Sequence, residues 1–307
     1  MAPSPRVIID TDPGVDDAIA ILMALAWPEL ELVGMTTVGG NVPVSRGTRN
    51  ALALLEYAGR QEVPVAQGAA RPCRGRFEYS YPFHGPSGLP RRLPKPKTRP
   101  VDASATDFLA TKLQDNPGQI ILVVLGPLTN LANLLTRYPA ALPLAASLVV
   151  MGGAVDCPGN VTPYAEFNSH SDPVAAHEVL SSGIPLTLID LAASRKISMT
   201  REQSKGLKAK LPVGRLAAQI LSNWFHRDSQ REHFEFYDPL AFAVALQPQL
   251  IATRRVTLEV ETIDPSRLGE TRVAAEGGPV AVAKNVDAPG FFGLLQDLFQ
   301  LSTSLPN

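Results

Sequence analysis

Apolar positions along this chain follow two alternating rhythms. Short, near-continuous aliphatic runs occur at residues 6–10, 32–38, 63–66, 120–125, 148–151 and 185–189. Each reads as a strand buried on both faces. Between them, residues 18–27, 46–57, 104–114 and 128–138 read as helices, with Ala51, Leu54, Leu55 and Ala58 forming one stripe. Breakers mark each change of rhythm. Pro28 stops the first helix, Gly39-Gly40 follows the second strand, and Asp172-Pro173 opens a helix with Asp as cap and Pro in the first turn. This alternation predicts an α/β fold: a mostly parallel central sheet with helices on both faces. Further helices are expected at 212–226 and 238–246. The runs 256–263 and 280–286 predict a small C-terminal β-hairpin appendage, and 291–302 an amphipathic closing helix. No repeat or linker interrupts the pattern, so residues 1–307 are read as a single domain. Such sheets bind ligands beyond the carboxyl ends of their strands, which directs attention to the segments after Ile9, Val38, Leu125 and Met151.

One segment breaks the rhythm. Residues 67–103 carry seven prolines and no periodicity, with Phe77, Tyr79, Tyr81, Phe83 and His84 ahead of Gly85 and Gly88. A long aperiodic loop in a compact domain is either functional or a surface excursion, and an aromatic, glycine-hinged one suits an active-site flap. Its basic run, from Arg91 to Arg99, has no interleaved aromatics and reads as a solvated loop before it reads as a phosphate site.

Composition narrows the function classes. A formal charge of −1 excludes a generally basic protein that coats nucleic acid, and 45% hydrophobic residues supply a large core. Two cysteines, Cys73 and Cys157, are too few for a disulfide scaffold, although one bridge stays open. The longest apolar stretch, Ala18 to Trp27, is too short to span a bilayer, and the N-terminus shows no signal-peptide pattern. A soluble, cytoplasmic protein with no membrane or nucleic-acid partner is expected.

Chemistry concentrates at the first strand. Asp10, Asp12, Asp16 and Asp17 lie within eight residues. Asp10 and Asp12 have strand parity, and Asp16 and Asp17 fall where a helix dipole favours carboxylates. One Asp would serve as a cap; four in so small a volume repel one another and favour a hard cation with oxygen ligands. Asp172-Pro173 and Tyr237-Asp238-Pro239 place further acids at helix starts, where each is either a cap or a ligand.

These residues also carry a resemblance. Asp10-Thr-Asp12-Pro-Gly14-Val-Asp16-Asp17 resembles the N-terminal fingerprint of the nucleoside hydrolases, the inosine–uridine-preferring ribohydrolase family. Thr36 to Asn41, His84-Gly85-Pro-Ser-Gly88-Leu89, Gly126 to Asn130, Met151-Gly152-Gly153, Gly159-Asn160 and Ala165-Glu166-Phe167-Asn168 follow in the family's order, as do both Asp-Pro pairs. The resemblance implies hydrolysis of the N-glycosidic bond of ribonucleosides to ribose and free base, using bound Ca²⁺. It implies Asp12 as general base, and Asp12, Asp17, Asp238 and the Leu125 carbonyl as calcium ligands. Asp16 and Asn168 would bind the 2′- and 3′-hydroxyls, and Asn160 and Glu166 the 5′-hydroxyl. Asn41 would lie near the attacking water, with Met151 and Phe167 in the substrate-binding segments. A homodimer or homotetramer is also implied.

The chain departs from the family at one point. Tyr237 stands where many members have a His that protonates the leaving base, and tyrosine is a poor acid near neutrality. His84 is a substitute candidate, while Trp224, Phe225, His226 and His233 are expected to wall the base pocket. Two alternatives compete. A haloacid-dehalogenase-type phosphatase shares Asp10-x-Asp12 but leaves Asp16-Asp17 and Glu166-Phe167-Asn168 unexplained. A non-catalytic nucleoside- or ribose-binding protein would have no need of Asp12.

Overall fold

The computed structural model describes residues 4–302. Nine strands form one sheet: β1 (Arg6–Thr11), β2 (Glu31–Thr37), β3 (Val65–Gln67), β4 (Ile120–Val124), β5 (Ser147–Met151), β6 (Leu186–Ile189), β9 (Ile251–Val260), β10 (Thr271–Glu276) and β11 (Val280–Val286). A separate antiparallel pair joins β7 (Ser198–Thr200) to β8 (His233–Glu235). The sheet order is β10-β9-β11-β6-β5-β4-β1-β2-β3, and β1 to β6 are all parallel. The expected α/β architecture is what the chain adopts.

The helices are α1 (Val15–Ala26), α2 (Val44–Tyr57), α3 (Tyr81–His84), α4 (Ala105–Asp115), α5 (Thr129–Arg137) and α6 (Phe167–Ser171). They continue with α7 (Pro173–Leu180), α8 (Leu191–Ser194), α9 (Arg201–Lys205), α10 (Pro212–His226), α11 (Tyr237–Leu246) and α12 (Ala288–Phe299). Successive strand residues feed opposite layers. Val7 and Ile9 join a core with α1, α2, α10, α11 and α12, while Ile8 joins a second core with α4, α5 and α7. Val123 and Leu122, and Val149 and Leu148, divide in the same way. This two-sided burial is why these strands are apolar throughout instead of alternating.

The C-terminal expectation needs correction. The runs at 256–263 and 280–286 do pair antiparallel, but β10 lies between them in sequence and pairs on the outer side of β9. They are also no appendage, because β11 pairs parallel with β6 and extends the central sheet. Sequence periodicity reports which face a strand buries, not which neighbour it chooses.

β1 sits between β2 and β4, with Asp10 opposite both Thr36 and Val124. The chain builds outward from β1 to β3 on one side, then crosses to β4 on the other. That reversal opens a crevice at the carboxyl ends of β1 and β4, the place where such sheets bind ligands.

Candidate active site

The Thr11–Gly14 turn carries β1 into α1, and Asp17 organises it. Asp17 Oδ1 accepts from Thr11 Oγ1 at 2.5 Å and the Asp12 N–H at 3.2 Å. Asp17 Oδ2 accepts from the Gly14 N–H and from Asn41 Nδ2, each at 2.9 Å. Asp12 Oδ2 accepts from the Asn41 N–H at 2.6 Å. Asn41, just past β2, thus bridges both carboxylates, which explains why a strand-end Asn belongs here. The helix α1 starts at Val15, three residues before the apolar run begins, because the acids themselves form its first turn.

Ligand atoms of Asp16, Asp17 and Asp238 lie within 4.8 Å of one another, and all three residues are buried. Asp238 arrives in the first turn of α11. Burial first, then the Asp17 charge, raises the Asp16 pKa to about 8 and lifts Asp12 well above the carboxylate range. Burial followed by Asp16 and Asp17 does the same to Asp238. Asp12 Oδ1 and Asp16 Oδ1 are buried with no hydrogen-bond partner. Unpaired buried carboxylates this close are costly without a counter-charge. An oxygen-ligated divalent cation fits this donor set.

Asp10 separates from the cluster. Its Oδ1 accepts from Thr36 Oγ1 and from Asn130 Nδ2, the latter at 2.7 Å. It therefore braces β1 against β2 and α5, so the expected group of four acids becomes Asp12, Asp16 and Asp17 joined by Asp238. Asp172 is a cap, accepting from the Ala175 N–H at 3.1 Å.

Above the acids lies a cavity of about 180 Å³. Asp16, Asn41, His84, Leu125, Met151, Asn160, Glu166, Phe167, Asn168, Tyr237 and Asp238, all singled out from sequence, line it. Asn168 Nδ2 donates to the Leu125 carbonyl at 2.8 Å and to the Met151 carbonyl at 3.3 Å, which leaves its Oδ1 for a ligand. Glu166 caps α6, with Oε1 accepting from the Asn168 N–H at 2.8 Å and Oε2 from the Gly153 and Ser169 N–H groups. Burial raises the Glu166 pKa. Ser80 and Val161 also line the cavity. Val161 was signalled only by its neighbour Asn160, and nothing in the sequence marks Ser80.

The base-pocket expectation changes. Trp224 and Phe225 are 3% and 1% exposed and do not line the cavity. Phe83 presents its ring there instead, backed by Trp224, whose centroid lies 5.1 Å away and whose Nε1 donates to the Phe83 carbonyl at 3.0 Å. Phe225 packs beneath Arg201 at 5.5 Å. The inner face of α10 is committed to core packing, which takes both rings. His226 and His233 are exposed and also lie outside the lining.

The flap itself is tied down. Arg227 donates to the His84 and Leu89 carbonyls at 2.8 and 3.0 Å. Arg231 donates to the Pro82, Phe83 and Trp224 carbonyls at 2.7, 3.2 and 2.8 Å, and lies 4.2 Å from the Trp224 ring centroid. His84 Nδ1 accepts from the Val15 N–H at 3.0 Å. Burial and the Arg231 charge push the His84 pKa down to about 3, so its ring is neutral. Tyr237 donates to Glu235, and burial raises its phenol further. Neither group is poised to protonate a leaving base near pH 7. Cys73 and Cys157 are both free thiols.

A sheet that gathers carboxylates for a cation beneath a polar, aromatic-edged pocket defines a class: metal-dependent hydrolases of small molecules. The comparison with known families makes this specific. The chain belongs to the inosine-uridine preferring nucleoside hydrolases, whose family model matches residues 7–293. Uridine nucleosidase 1 of Arabidopsis thaliana is 37% identical over 265 residues, covering 84% of this chain and 78% of that protein. A plant nucleoside hydrolase structure superposes with a TM-score of 0.90 at 31% identity, covering 99% of this chain and all of that one. The purine-preferring ribonucleoside hydrolase of Gardnerella vaginalis gives 0.88 at 31% identity, covering 96% and 98%. The chain is an N-glycosyl hydrolase that cleaves ribonucleosides to ribose and free base. The phosphatase and non-catalytic readings are set aside on this membership. Among the described residues, no helix is long and apolar enough to cross a membrane.

Proposed function

We propose that this chain hydrolyses ribonucleosides by holding the ribose on Asp16, Asn160, Glu166 and Asn168 while Asp12 takes the proton of the attacking water. The unpartnered Oδ1 of Asp12 beside the Asp16–Asp17–Asp238 cluster carries this reading. Ca²⁺ is the proposed ion, with Asp12, Asp17, Asp238 and the Leu125 carbonyl as its ligands. When bound, it supplies positive charge that offsets the clustered carboxylates and makes nearby water more acidic. Asn41 keeps Oδ2 of Asp12 occupied, so Oδ1 is the atom that accepts the proton. As the glycosidic bond breaks, the ribose gains oxocarbenium character, and the surrounding carboxylates stabilise it. Binding the 2′-hydroxyl through a buried carboxylate selects ribose over 2-deoxyribose, because a missing hydroxyl leaves that group unpaired.

Neither His84 nor Tyr237 is ready to protonate the base, so departure depends on the base itself and on polar contacts from the flap. The reading is completed by a single-domain, cytoplasmic protein that forms a homodimer or homotetramer, in line with the resemblance. The test is a reducing-sugar assay with inosine, adenosine, guanosine, uridine and cytidine. Wild-type protein releases ribose from at least one of them. Asp12→Asn releases none while keeping its circular dichroism spectrum. Near-wild-type release by that variant overturns the assignment of Asp12.

A further inference from the structure

A second cavity, of about 430 Å³, lies between α2 and residues 95–100, beside the β3 edge of the sheet. It gathers Arg49, Lys95, Lys97 and Arg99 with the polar groups of Ser45 and Gln67, and no carboxylate lines it. Among the described residues, none of the four cations forms a salt bridge. The whole chain carries a charge of only −1, so this is a local concentration, not a share of a general excess.

The cations of the basic run are exposed, as the solvated loop expected from sequence requires, but its main chain is anchored. Glu56 Oε1 accepts from the Lys97 N–H at 2.6 Å, the Thr98 N–H at 2.7 Å and Thr98 Oγ1 at 2.7 Å. The Val101 N–H donates to the Val65 carbonyl at 2.9 Å, which joins the end of the run to β3. Pro94, Pro96 and Pro100 further restrict the backbone. The cations therefore project from an anchored main chain, and Glu56, which the Lys97 charge also reaches, is occupied in anchoring it. One face of α2, carrying Ser45, Thr48, Arg49 and Leu52, forms the opposite wall of the groove.

Four exposed cations that line one groove and form no salt bridge repel one another, and a compact anion of matching charge relieves that repulsion. The cavity lies in the size range of small-molecule sites. It has no aromatic lining, so it offers nothing on which a base could stack. We propose that this groove binds the triphosphate group of a small anion, free tripolyphosphate or a nucleoside 5′-triphosphate, at a site separate from the ribonucleoside pocket. Recognition rests on the phosphates, so the identity of any attached base has little influence.

The test is titration calorimetry of the purified protein with inorganic tripolyphosphate, ATP and CTP at low ionic strength. The three anions bind with similar affinity, and binding weakens steeply as salt rises. Arg49→Glu with Lys97→Glu weakens it about tenfold or more, the scale of lost charge-assisted contacts. Arg49→Gln with Lys97→Gln covers the case in which charge reversal disturbs folding. Both pairs keep wild-type ribose release in the absence of anion. Arg91→Glu with Arg92→Glu, exposed residues outside the groove, leaves affinity unchanged. The proposal is overturned if the Arg91/Arg92 pair weakens binding as much as the groove pair. It is equally overturned if tripolyphosphate fails to bind, or if a short oligonucleotide binds while tripolyphosphate does not.

Discussion

Gly40→Ala probes the position of Asp12 without altering any acid. A Cβ on residue 40 would lie 2.9 Å from Pro127 Cδ and 3.0 Å from Asp12 Cγ, and in hard overlap with Asp12 Oδ2. The proline ring is anchored, so the carboxylate is the part that yields. Moving it breaks the 2.6 Å bond from the Asn41 N–H and displaces the proposed base by on the order of 1 Å. Misplacement on that scale costs about a hundredfold in rate, or about 2.7 kcal/mol of transition-state stabilisation. Overpacking itself costs about 1–3 kcal/mol of stability. The assay pairs steady-state ribose release with urea denaturation, so that rates refer to folded protein. The expected result is kcat reduced about a hundredfold with a smaller change in KM. Loss of stability with unchanged kcat per folded molecule would refute the placement of Asp12 as the reacting base.

Three further outcomes follow from the site. Burial holds the Asp16 and Asp10 pKa values at about 8 and about 7, above the ordinary 3.8, so the contribution of these two groups to the metal-free fold is fully present below pH 4 and is lost as pH rises from there through 7 to 8. Added Ca²⁺ then raises Tm more at pH 8 than at pH 5, by several degrees at about a hundred times Kd, and a pH-independent shift in scanning calorimetry contradicts this. Arg231→Ala removes three bonds to carbonyls of the flap and α10, so KM rises about tenfold and amides of residues 80–89 exchange faster; unchanged KM and exchange would show that the flap does not depend on this tie. His84 is neutral throughout pH 5–9, so His84→Gln lowers the rate while the pH profile keeps its shape; disappearance of an acid limb in the variant would contradict a neutral His84.

Much of this was legible in the sequence, for a physical reason. Burial on both faces makes a parallel strand apolar throughout, so β1, β2, β4 and β5 were visible as uninterrupted runs. The acids at 12, 16 and 17 stood out because repelling carboxylates in a short turn need a compensating charge. Other features depend on contacts between distant segments. Only the fold brings Asp238 within 4.8 Å of Asp16 and Asp17, and only the fold turns Asp10 aside to Thr36 and Asn130. Trp224 and Phe83 are equally aromatic in sequence, yet the orientation of α10 buries one and leaves the other at the cavity. Arg227 and Arg231 carried no signal, since their partners are backbone carbonyls that every residue possesses. The sequence by itself determined the alternating architecture and the chemistry at the end of β1, because both are written in local residue types. Tertiary structure decided which acids share a site, which ring faces the pocket and how the flap is held, because those outcomes are set by geometry between segments far apart in the chain.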